Sequence, residues 1–196
     1  LFFGGDNVSA GMSSTRQDQQ WKFDTFMRVL KAESSLPTEF LLGNHDIWGW
    51  TKSRSGATGN EPDFGKKWAM GLYGMERPYR VFRRAGWAFV VLDSIQPIEE
   101  GYYTGLDDEQ FEWLKGVLEG EARGVPTVVM SHAPILCPSA LLTDARVRPV
   151  GGEAQPRLDV GRGSMFVDLH RVTRLFEEHP SVKLCLSGHI HTLERV

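Results

Sequence analysis

Four short polar clusters carry the residue types that bind metal ions or move protons. They are Gly5-Asp6-Asn7, Gly43-Asn44-His45-Asp46, Ser131-His132-Ala133-Pro134 and Gly188-His189-Ile190-His191. Together they offer carboxylate oxygen, amide oxygen and imidazole nitrogen, a mixed ligand set suited to borderline divalent cations such as Mn, Fe or Zn. Taken singly, each has an ordinary explanation. Asp6 after two glycines can form a turn, Asn44 can occupy a left-handed turn position, and a lone His132 is more often a hydrogen-bonded structural residue than a ligand. A single Gly-His-x-His is likewise a weak signal. The ordered set is much more specific, because four of the 6 histidines fall in these clusters and each cluster follows an apolar run and precedes a turn.

The elements that must position these clusters alternate between short apolar strands and amphipathic helices, the pattern of an α/β layered fold. Strands are predicted at Leu1 to Phe3, Glu39 to Leu42, Arg80 to Arg83, Trp87 to Leu92, Thr127 to Met130 and Val182 to Leu186. Phe23, Phe26, Met27 and Leu30 share one face of a first helix. Asp107 and Gln110 have capping-box spacing at the start of a second, whose buried stripe is Phe111, Leu114 and Leu118. Leu169, Val172, Leu175 and Phe176 mark a third. Ala85-Gly86 between two strand-like runs predicts a tight hairpin, so part of the sheet system is antiparallel. In open α/β sheets ligands bind at the carboxyl ends of strands, and all four clusters lie at such ends, so they are expected to converge on one rim. Asp46 to Pro62 and Pro138 to Gly163 read as long loops of the kind that carries function.

The 196 residues, 41% hydrophobic, suit a single domain with one buried core. A net charge of -3 leaves no basic surface for extended nucleic-acid binding. Cys137 and Cys185 alone make no disulfide framework. The longest apolar run, Trp87 to Leu92, ends at Asp93, far short of the ~20 residues of a membrane-spanning helix, so a soluble chain is expected. The start at Leu1-Phe2-Phe3 has no signal-peptide features and reads as the inside of a strand, which suggests a trimmed or fragmentary chain of undetermined compartment.

The order Gly-Asp, Gly-Asn-His-Asp, His, Gly-His-x-His resembles the calcineurin-like metallophosphoesterases, and the resemblance runs from Asp6 to His191. It implies a layered αββα sandwich of mixed sheets flanked by helices, and hydrolysis of small phosphate esters at a two-metal centre. Asp6 would bridge the two ions. Asn44, His132 and His189 would complete one of them, and His191 would bind the other. His45 would protonate the leaving group, with Asp46 orienting it. Gly105 to Leu114 also resembles the class III cyclic nucleotide phosphodiesterase and purple acid phosphatase-like branches, by a less specific match.

The family's opening Asp-x-His, at the end of a first strand, has no counterpart here. That strand is expected to be missing, and the metal position at His191 is left with two protein ligands. A catalytically impaired metal-binding scaffold is therefore the alternative to an active enzyme. Trp48 and Trp50 could stack on an aromatic leaving group, although loop packing is the favoured reading. Arg146, Arg148, Arg157 and Arg162 could contact phosphate, or could simply be solvated.

Overall fold

The computed structural model describes residues 1–143, 146–148, 157–193 and 195. In chain order the strands are β1 (Phe2–Phe3), β2 (Glu39–Phe40), β3 (Arg80–Arg84), β4 (Trp87–Val91), β5 (Ile95–Ile98), β6 (Gly101–Thr104), β7 (Thr127–Met130), β8 (Arg146–Arg148), β9 (Arg157–Asp159) and β10 (Val182–Leu186). The helices are α1 (Arg16–Glu33), α2 (Lys52–Ser55), α3 (Lys67–Tyr73), α4 (Asp108–Glu119), α5 (Pro138–Thr143) and α6 (Leu169–Glu178).

Two sheets stack between helices. β1 and β2 pair in parallel, and a second sheet has the order β10-β7-β4-β3, parallel except for the β3–β4 hairpin. Alternation along each strand assigns its faces. Phe3 and Phe40 turn toward α1 and α3, where Phe3 meets Phe26 edge-on at 5.4 Å and Phe40 stacks on Tyr73 at 4.2 Å. On the opposite face Phe2 lies 5.8 Å from the Phe89 ring, and Leu41 packs with Val91, Val128 and Met130 of the second sheet. The alternate residues of β4, Ala88 and Val90, pack with Leu114, Leu118, Val172 and Leu175 of α4 and α6. The result is the αββα order of layers. Leu114 and Leu118 are fully buried, and each such side chain stabilises the fold by about 1.5–3 kcal/mol.

Leu184 and Leu186 of β10 are in register with Val128 and Met130 and so share the face turned toward the inner sheet. The two strands of that sheet do not reach them, and they stay 47% and 48% exposed, with Phe2 at 44%.

The Ala85-Gly86 hairpin forms as predicted, both residues having positive φ (51° and 80°), as a type I′ turn requires. Asp107 caps α4 by accepting from the N–H of Gln110 at 2.8 Å. The reciprocal half of the capping box does not form. The Gln110 amide is fully buried and instead bonds the N–H and C=O of Asp93 at 2.8 and 2.9 Å, tying α4 to the end of β4. The two predicted loops are also not structureless: α2 lies in the first, and α5, β8 and β9 in the second. The β5–β6 hairpin has no counterpart in the sequence reading, because Pro97 and the glycines around it mask the strand pattern.

Candidate metal centre

One residue from each of the four polar clusters lies at the carboxyl end of a strand. Asp6 follows β1, Asn44 follows β2, His132 follows β7 and His189 follows β10. Close approach of the loops explains the glycines. A Cβ on Gly5 would stand 2.5 Å from His132 Nδ1 and 2.7 Å from Gly43 N, and one on Gly43 would run into Asp6 Oδ1. Asp6, His189 and His191 adopt left-handed backbone conformations (φ 56°, 73° and 59°). Such strain in non-glycine residues clusters at functional sites.

At the centre is His132, 1% exposed. Its Nε2 lies 3.2 Å from Asp6 Oδ2, 3.2 Å from Asn44 Oδ1 and 3.1 Å from His189 Nδ1. The proton positions follow from the far sides of the rings. His132 Nδ1 faces the Gly4 carbonyl at 2.8 Å and His189 Nε2 faces that of Gly163 at 2.6 Å, so each of those nitrogens carries a proton and donates it. The lone pair of His132 Nε2 thereby faces the carboxylate of Asp6, the amide oxygen of Asn44 and the lone pair of His189 Nδ1. Four electron-pair donors crowded together repel unless a proton or a cation sits among them. Donors that share a cation at about 2.0–2.2 Å lie roughly 3.0–3.5 Å apart, so the separations found here fit a single divalent ion. Asp6, His132 and His189 offer ligand atoms that all fall within 4.8 Å of one another.

The charges agree with this. Burial works against ionisation of Asp6, but the bond to His132, the charges of His132 and His45 and the His45 N–H outweigh it and hold the carboxyl below its ordinary range. Burial likewise opposes the His132 imidazolium, yet Asp6 beside it, with the Gly4 carbonyl, raises its pKa above 6.5. Burial lowers that of His189, only partly offset by the Gly163 carbonyl.

A family model for calcineurin-like phosphoesterases matches residues 1–193. The chain belongs to that family. No curated protein matches it. Within this phosphoesterase, His191 is exposed and is not among the three grouped ligands, although its charge is felt at His189.

His45 and Asp46 are placed differently from the sequence reading. Asp46 does not orient His45; that task falls to the N–H of Ala10, which donates to His45 Nδ1 at 2.8 Å. His45 Nε2, at 3.9 Å from Asp6 Oδ2, is thus the nitrogen that bears the proton in the neutral ring. Asp46 is fully buried and fastens two loops together. Its Oδ2 accepts from the N–H groups of Asp6 and Gly43 at 2.8 and 2.9 Å, and its Oδ1 from the N–H of Asn7 at 2.9 Å and the hydroxyl of Tyr73 at 3.1 Å. Burial pushes the Asp46 carboxyl up to about 6, aided by the like charge of Asp6 and opposed by the Gly43 N–H, the Tyr73 hydroxyl and the Asn7 N–H.

Trp48 and Trp50 are buried, 2% and 8% exposed, and belong to the core. The side chains of Arg146, Arg148 and Arg157 lie outside the described residues. Gly4, Gly163 and Ala10 were inaccessible to sequence reasoning because they act through the backbone, which every residue possesses. Tyr73 lies 27 residues from Asp46 with no motif of its own.

Proposed function

We propose that this phosphoesterase hydrolyses small phosphate esters at a divalent cation held by Asp6, Asn44, His132 and His189, with His45 as the general acid. The observation that carries this reading is the pair of backbone carbonyls, Gly4 and Gly163, that leave the lone pairs of His132 Nε2 and His189 Nδ1 facing each other beside Asp6 and Asn44. Such outer partners fix the tautomer of metal-ligating histidines. When bound, Mn, Fe or Zn supplies Lewis acidity that polarises a phosphoryl oxygen and acidifies a water.

The protein's own groups do the rest. Asp6 holds its negative charge, and its Oδ1 accepts the backbone N–H of His45 at 2.7 Å, so one carboxylate links the ligand cluster to the residue that carries the proton donor. The Ala10 N–H keeps the His45 proton on Nε2. With its side chain 44% exposed, His45 can meet a departing ester oxygen and protonate it. Asp46 keeps the loops bearing Asp6 and Asn44 in register. A second, weaker cation position would use Asp6 and the exposed His191.

The test is hydrolysis of 4-nitrophenyl phosphate and bis(4-nitrophenyl) phosphate by purified protein before and after metal removal and Mn readdition. Activity that disappears with the metal and returns with it is expected. Stoichiometric metal binding without turnover of either ester would overturn the reading in favour of a binding scaffold.

A further inference from the structure

One side chain near the cluster carries a polar group that its packing does not use. Tyr102 lies on β6, paired opposite Pro97 of β5. Its ring is half-buried and packs against the core, and it meets the His189 ring edge-on at 6.2 Å. Its hydroxyl has no hydrogen-bond partner among the described residues and is not a buried atom, so it reaches solvent.

The position of this phenol is fixed from two directions. The Thr104 N–H donates to the Arg162 carbonyl at 2.9 Å and the Thr104 hydroxyl to the Met165 carbonyl at 2.5 Å, so the end of β6 is clipped to the 161–165 turn. Gly163 of that turn accepts from His189 Nε2 at 2.6 Å. A Cβ on Gly163 would lie 3.5 Å from both Tyr102 Cε2 and its Oη, in van der Waals contact. At the other end of the hairpin Glu100 accepts from the Ser53 hydroxyl at 2.6 Å. Strand, turn and ligand are therefore joined by one chain of hydrogen bonds. A rigid aromatic stem carrying a free donor stands beside the ring of a metal ligand.

We infer that the Tyr102 hydroxyl donates a hydrogen bond to a non-bridging oxygen of a phosphoryl group bound at the Asp6, Asn44, His132 and His189 cluster. This rests on the functional reading above. A tyrosine hydroxyl stays protonated near neutral pH and is a donor there, and a hydrogen bond to a charged oxygen is worth more than one to a neutral acceptor. Tyr102 is a substrate-contacting residue in this scheme and not a metal ligand.

The experiment compares wild type, Tyr102→Phe and Tyr103→Phe, each loaded with Mn. Tyr103 is next on the strand and projects from its other face, where the charges of Asp107, Asp168 and Arg171 act on it. Tyr102→Phe should keep the same Mn stoichiometry and affinity, bind inorganic phosphate about tenfold more weakly, and lose at least as much in kcat/KM. Tyr103→Phe should match wild type in all three. Equal phosphate affinity in wild type and Tyr102→Phe would overturn this inference and leave the functional reading standing, as would loss of Mn, which would make Tyr102 a ligand. Failure of wild type itself to bind phosphate would sink both.

Discussion

His132 Nε2 lies 3.1 Å from His189 Nδ1, and neither nitrogen has a proton to spare for the other in the neutral tautomers that Gly4 and Gly163 impose. One added proton or one cation resolves the conflict, and the two compete for the same place. Because Asp6 holds the pKa of His132 above its ordinary value, protons compete more strongly with a cation for Nε2. Metal affinity should therefore fall as pH drops through the raised His132 pKa, with up to one proton released per ion bound below it. Calorimetry in buffers of different ionisation enthalpy measures this, and proton release independent of pH between 5 and 8 would contradict it.

His45→Ala should leave metal content unchanged and lower turnover of alkyl phosphates by about 10² to 10⁴, the range for a lost general acid. The deficit should shrink for nitrophenyl esters, whose leaving group scarcely needs protonation. Equal deficits for both ester types would assign His45 to positioning.

The two cation positions should be unequal. On the proposed ligand sets, one would draw on Asp6, Asn44, His132 and His189, the other on Asp6 and exposed His191. Titrating metal-free protein with Mn is expected to give one tight equivalent and then a weaker event that carries most of the gain in activity. Two equally tight equivalents would contradict the ligand count.

Asp46→Asn should destabilise the protein by about 2–4 kcal/mol, because an amide NH2 is then forced against the N–H groups that both Asp46 oxygens now accept. For a chain of this size that corresponds to a fall of roughly 5–15 °C in Tm. A melting curve unchanged from wild type would show that the loops hold without the carboxylate.

Much of this was legible in the sequence where side chains repeat or cluster. The six predicted strands all form within two residues of their expected ends, because runs such as Trp87 to Leu92 alternate between Ala88, Val90 and Phe89, Val91. Asp6, Asn44, His132 and His189 could be found because turn glycines stand before them after apolar runs, or, for His132, because it ends such a run itself. The partnership of Asp46 could not be read, since adjacency to His45 suggests a pairing that the backbone turn forbids, sending the carboxylate inward to Gly43 and the Asp6 loop. The short helix α3 was hidden by Gly71 in its middle, and it forms because Trp68 and Ala69 are drawn into the core.

Asp46 also determines how the rim comes apart. The amides of Asp6, Asn7 and Gly43 share one buried acceptor group, so none can exchange its hydrogen with solvent by its own small fluctuation; they open as one cooperative unit. Asp6 and Asn44 ride on the two loops so joined. Exposure of those three amides and separation of the two loops are then a single event, so their hydrogens should exchange at one common rate.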